Sequence, residues 1–181
     1  MIGFKFDGKH SSQFNVGFRS TDRTAIPERR KKEFTILGRS GTLELESYEY
    51  EKRYIKCTIG IMYVDKFEEL RAKIREIAGW LSGSGLLIFD DEPGKAYEAS
   101  VYSAVGIEQL ALQPRGTMEI EFECQPFAVS TDLNRITKLG KNETNISIKN
   151  KGNVKTCGTF IIKNTGSTNV TSLRITRKVV I

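Results

Sequence analysis

Apolar and polar residues alternate with a period of two along much of this chain. Ile55, Cys57, Ile59 and Ile61, continuing to Tyr63, are separated by polar or small residues. Met118, Ile120, Phe122 and Cys124 alternate with Glu119, Glu121 and Glu123. A strand with one buried face produces this pattern, because successive side chains point to opposite sides of a sheet. Shorter stretches repeat it. Ile2, Phe4 and Phe6 lead into an Asp7-Gly8 turn, and Phe14, Val16 and Phe18 are expected to complete a hairpin. Residues 19–33 break the alternation and read as an exposed loop. Phe34 and Ile36, then Leu43 and Leu45, flank Gly38-Arg39-Ser40-Gly41 as a second hairpin. Leu86–Phe89 reads as a short buried strand before the turn Asp90-Asp91-Glu92-Pro93-Gly94. Tyr97, Ala99, Val101, Ser103 and Val105 give another strand.

The period changes once. Phe67, Leu70, Ile74, Ile77, Ala78 and Leu81 recur at helical spacing, with Lys66, Glu69, Lys73 and Glu76 opposite. This predicts an amphipathic helix over about residues 66–81, capped by Asp65 with Glu68 as its box partner and stopped by Ser82-Gly83-Ser84-Gly85. Trp80 falls off that stripe at the helix end, where it would pack as a core residue over a sheet edge or reach a subunit contact. One helix among many strands predicts a mainly β (α+β) fold, a sheet or sandwich with one packed helix.

After Pro126 the character changes. Residues 129–181 are rich in Asn, Thr, Lys and Gly and read as strand, turn, strand, turn, strand around Ile146–Ile148, Phe160–Ile162 and Val170–Ile175. Three strands are marginal as an independent domain. The expectation is a partial β domain, cut from a longer parent or completed by a partner, following a first domain over residues 1–128. Charge divides similarly. Residues 133–181 carry ten basic residues and one acid, +9, whereas residues 1–132 carry 18 basic and 21 acidic residues, −3, within a total of +6.

Candidate chemistry is sparse. Cys57, Cys124 and Cys157 lie far apart, without metal or redox spacing, and suit a reducing compartment. His10 is the only histidine; beside Ser11 and Ser12 it reads as a polar loop residue. Asp90, Asp91 and Glu92 lack calcium-loop spacing and read as a solvated turn. No phosphate-binding or dinucleotide motif is present, and no apolar run approaches a membrane span. The N-terminus lacks a signal-peptide pattern, so the Asn-x-Ser/Thr matches at 142, 145 and 169 read as chance. No catalytic residue, metal site or cofactor is therefore expected. The notable charged cluster is Arg29, Arg30, Lys31 and Lys32. It can pair with an acidic strand face such as Glu119, Glu121 and Glu123 on a neighbouring subunit, touch nucleic acid, or simply be solvated.

Six short motifs, in order, carry a resemblance: Pro27-Glu28-Arg29-Arg30, Gly38-Arg39-Ser40-Gly41, Trp80-Leu81, Leu87–Pro93, Tyr97-Glu98-Ala99 and Phe122–Phe127. Together they resemble the distal tail protein family of long-tailed bacteriophages and prophages. The resemblance implies a tail-tube-like N-terminal β-sandwich with one helix, closing as six copies into a ring around the DNA channel. A smaller C-terminal β domain, often galectin-like, would attach adhesion components, and residues 129–181 are too few to complete one. It implies a structural protein of the virion tail tip (the baseplate hub), made in the bacterial host cytoplasm, with no membrane and no sequence-specific nucleic acid. The ring would join the tail tube protein to a tail-associated or adhesion protein. The expected subunit interface comprises Arg29, Arg30, Lys31, Lys32, Arg39, Trp80, Glu119, Glu121 and Glu123. Two other classes are weighed: a carbohydrate-binding β-module, resting on aromatics such as Trp80 and Tyr97, and a cell-wall hydrolase, for which no catalytic constellation is visible.

Overall fold

The computed structural model describes residues 3–23, 25–45, 49–61, 66–102, 107–109, 116–132, 152–154, 161–172 and 174–176. The chain divides into two compact units, Met1–Arg135 and Ile136–Ile181.

The first unit is built from β1 (Phe4–Phe6), β2 (Lys9–His10), a 3-10 turn at Ser11–Phe14, β3 (Val16–Arg23), β4 (Lys32–Thr35), β5 (Thr42–Leu45), β6 (Arg53–Ile61), α1 (Phe67–Leu81), β7 (Gly83–Phe89), β8 (Lys95–Val101), β9 (Ile107–Gln109), β10 (Gly116–Cys124) and β11 (Val129–Ser130). The main sheet runs β2-β1-β7-β8-β10-β6-β3, with β11 paired to β8 and β9 to β10. Its two halves join at a narrow corner, where β8 meets β10 only at Glu123–Ser100 and Cys124–Ala99. The halves then face each other through side chains. Phe4 of β1 lies 4.8 Å from Phe18 of β3, although these strands stand near opposite ends of the sheet. The sandwich read from the sequence is thus one continuous sheet folded over at a corner.

The two alternating runs become the central pair β6–β10, in register from Gly116–Ile61 to Cys124–Arg53. Ile55, Cys57, Ile59, Met118, Ile120 and Phe122 are buried on one face, while the glutamates of β10 turn outward. Helix α1 lies within the predicted limits, but Lys66 is its N-cap and makes no side-chain capping bond; Asp65 lies outside the described residues. Leu70, Ile77, Trp80 and Leu81 are the buried helical positions, and Phe67 is exposed. Trp80 belongs to the stripe after all, because it stands three residues from Ile77 and so shares its face. Its ring stacks on Phe14 at 4.2 Å and on Phe4 at 5.2 Å, and its Nε1–H donates to the Phe6 carbonyl at 3.0 Å.

The N-terminal strands differ from expectation. The Asp7-Gly8 turn forms, both residues at positive φ, and joins β1 to the short β2. Phe14 closes the 3-10 turn, and β3 pairs with β6 rather than with β1. β3 also continues to Arg23, into the stretch expected to be a loop. β7 starts at Gly83, directly after the helix, and includes the glycines read as a stop. Gly85 has a packing reason: a Cβ there would lie 2.8 Å from the Asp7 Cβ and 3.0 Å from its Cα, where the β1–β2 turn crosses over and the Asp7 N–H donates to the Leu86 carbonyl. β11, beyond the expected boundary at residue 128, adds to β8 and keeps the chain in the first unit.

In the second unit the predicted Asn164–Ser167 turn forms, with the Asn164 side chain accepting from Gly166 N–H and donating to the Thr168 carbonyl. No strand occurs among its described residues, and Ile161, Ile162, Val170 and Ile175 are exposed. Strands there need partners to bury a face. The Ile146–Ile148 stretch and Phe160 lie outside the described residues.

Candidate functional site

Between the paired strands β3 and β6 the chain makes a long excursion that forms an arm. Its root is a short antiparallel ladder: Glu51 N–H donates to the Glu28 carbonyl at 2.8 Å, Arg30 N–H to the Glu49 carbonyl at 2.9 Å, and Arg29 bridges to Tyr50. Tyr50 anchors the root by packing edge-on against Phe127 at 4.9 Å. Pro27 is buried. Beyond the root, β4 and β5 pair as a separate two-stranded sheet, Lys32–Leu45, Glu33–Glu44, Phe34–Leu43 and Thr35–Thr42. Gly38 and Gly41, at φ 81° and 86°, supply the turn. From Arg29 to Leu37 the arm reaches roughly 25 Å at the rise of an extended strand.

Directly paired residues share a face. One face of the arm therefore carries Phe34 and Leu43, with Leu45 beside Lys32; the other carries Glu33, Glu44, Thr35 and Thr42. Every residue of both strands is exposed. Phe34 is 51% and Leu45 50% accessible, and Leu37 at the tip is fully so. An amphipathic hairpin whose apolar face stays partly exposed is marginal in water.

The expected interface residues separate into three groups. Arg29, Arg30, Lys31, Lys32 and Arg39 all lie on the arm. Arg30 is held within it: Nε donates to Glu51 at 2.7 Å and Nη1 to Glu49 at 3.5 Å, and the Glu51 bond chiefly holds its guanidinium above its ordinary pKa. Lys31 stands 3.8 Å from Glu44. Lys32 and Arg39 make no ion pair among the described residues. The second group, Glu119, Glu121 and Glu123, lies on the outer face of β10. Glu123 pairs with Lys52, and Glu121 stands 3.9 Å from Lys56, leaving Glu119 without an ion pair among the described residues. These internal pairs reduce the charge available for the expected arm-to-β10 pairing. Trp80, the third, is 6% exposed and hydrogen-bonded inside the core, so it is not a surface contact of this chain.

The structure also assembles a group that the sequence does not reveal. His10 Nε2 lies 3.0 Å from Asp90 Oδ1, eighty positions away, and Ser12 Oγ lies 2.7 Å from His10 Nδ1. The Ser12 N–H donates to the same Nδ1 at 3.1 Å, which makes Nδ1 an acceptor and places the ring proton on Nε2, facing Asp90. Asp90 also accepts from Gly3 N–H at 2.7 Å. Desolvation pushes the Asp90 pKa up, but the bonds from His10 and Gly3 outweigh it and hold the carboxyl below its ordinary 3.8. The Nδ1 lone pair that a serine base would need is already shared with a backbone amide that His10 caps. The arrangement ties β1, the 3-10 turn and the end of β7 together.

Cys57 and Cys124 are buried free thiols, as the alternation predicted, and desolvation pushes each to about 12. Cys157 lies outside the described residues. Tyr97, named with Trp80 as a possible sugar platform, is 7% exposed, so neither ring can stack on a saccharide. No helix among the described residues is long and apolar enough to cross a membrane, and no cluster among them could hold a metal ion.

A folded-over sheet, one helix packed within it and an exposed arm between two paired strands are the features to match against known proteins. The family model for the phage tail protein RIFT-related domain matches residues 11–124. The chain belongs to this family. Its match spans β3 to β10 and includes the whole arm. Among solved structures, the fold is similar to the SPP1 Dit (gp 19.1) protein, described as a paradigm of the hub adsorption apparatus in phages infecting Gram-positive hosts. The TM-score is 0.57 at 17% identity, covering 70% of this chain and 51% of that one. The chain thus spans about half the length of that Dit protein. No curated protein sequence matches it. The chain is a siphophage tail protein with the mainly β fold of the Dit type.

Proposed function

We propose that this tail protein is a distal-tail ring subunit whose arm clasps the next copy. The observation that carries the reading is the hairpin of β4 and β5, exposed on both faces and apolar on one. A ring requires each subunit to offer two different surfaces that meet in a closed cycle. The arm is one such surface, and the folded-over sheet supplies the other. Phage-tail family membership and the fold shared with a hub protein support a place in the virion tail.

In this reading six copies close around a channel through which DNA passes unread, and the ring joins the tail tube protein to a tail-associated or adhesion protein. The chain is made in the host cytoplasm and acts as architecture, not as a catalyst. The net −3 of residues 1–132 favours free passage of DNA.

Light scattering over a concentration range tests this. The expected result is a six-fold species that a Phe34→Ser/Leu45→Ser variant loses while staying folded. A double variant that assembles as the wild type does would remove the arm from the assembly surface.

A further inference from the structure

Resting on the ring reading, we infer that β5 of one copy adds to the open edge of β3 in the next, as an extra strand of its main sheet. β3 is the last strand on its side of that sheet, paired through β6 alone among the described residues. It is eight residues long. Long open edges invite strand pairing unless something covers them. The core beneath this edge is unfinished. Phe18 touches Phe4 and Phe89, yet it is only partly buried, unlike the other core rings it meets.

β5 has the matching alternation. Leu43 and Leu45 occupy one face and Glu44 the other. Added beside β3, it would extend the inner face of Val16 and Phe18 with two leucines and set Glu44 beside Arg19 on the outer face. Arg19 is exposed and makes no ion pair among the described residues. Glu44 needs a cation, because it stands directly across from Glu33 and its own partner Lys31 is 3.8 Å away and well exposed. Like charges directly opposite in a hairpin are unfavourable. β4 suits the role less, since Lys32 lies on its apolar face. Backbone pairing supplies affinity in such strand additions, and the side-chain match supplies register.

The experiment uses full chains. Arg19→Cys and Glu44→Cys variants are made separately, mixed, oxidised, and run without reductant. Paired positions on adjacent strands lie within disulfide reach. The inference predicts a cross-linked dimer in the mixture and none with either variant alone. In parallel, Arg19→Glu and Glu44→Arg are each expected to weaken self-association at least about tenfold, and the double exchange to restore it. Rings that form without the cross-link and without restoration would overturn the strand addition while leaving the ring reading intact. A chain that neither cross-links nor self-associates at any concentration would overturn both.

Discussion

The folded-over sheet and the arm are made from the same kinds of residue, yet they end in opposite states. In the sheet, Phe4, Phe6 and Phe122 are buried and touch one another or Trp80, and the buried Phe89 meets Phe18 and Tyr97. In the arm, Phe34, Leu43 and Leu45 sit at the same alternating spacing and stay in water. Alternation specifies which face is apolar; it does not specify what covers that face. One chain supplies the cover for the sheet by folding it at a corner and packing α1 against it. For the arm no described residue closes over that face, and the proposed cover is the next copy.

The largest effects fall where the sheet is finished by its helix. Trp80→Ala removes two stacked rings' partner and the bond to the Phe6 carbonyl, and is expected to cost about 3–5 kcal/mol in denaturant unfolding. Gly85→Ala forces a methyl against Asp7 and is expected to cost about 1–3 kcal/mol. A smaller loss on either substitution would mean that the sheet is less tightly closed than the contacts imply.

The Asp90 carboxyl gives a pH-dependent effect on the same region. Because its folded pKa lies below the ordinary 3.8, it adds stability that is fully present above that value and disappears as pH falls through the folded pKa. Asp90→Asn should flatten the acid limb of a stability–pH curve, with little change in slope near neutrality. An unchanged acid limb would show that the His10 and Gly3 bonds contribute nothing to the folded state.

The smallest effect is expected on the arm. Phe34→Ser and Leu43→Ser replace exposed residues and should shift monomer stability by less than about 0.5 kcal/mol. A loss comparable to that of Trp80→Ala would mean that the arm packs against its own chain.

Much of this contrast is legible in the sequence. Strict alternation gives β6 and β10, helical spacing gives α1, and two glycines between apolar pairs give the arm hairpin. Trp80 is harder to place because Ile77, Ala78 and Leu81 already continue a helical stripe that passes it by. The corner between β8 and β10 leaves no sequence signal, since it depends on only two residue pairs. His10 and Asp90 are brought together by the pairing of β1 with β7, a long-range event that no local motif reports. The basic cluster lies on the arm, and only the structure shows that Arg30 pairs with Glu51 within it.

Hydrogen exchange, read residue by residue in dilute monomer and in concentrated assembly, tests the contrast most directly. The account predicts that amides of β6 and β10 are protected in both samples, whereas those of β4 and β5 exchange fast in the monomer and slow down markedly on assembly. Arm amides that are as protected as the core in the monomer, or that exchange equally fast in the assembled state, would contradict it.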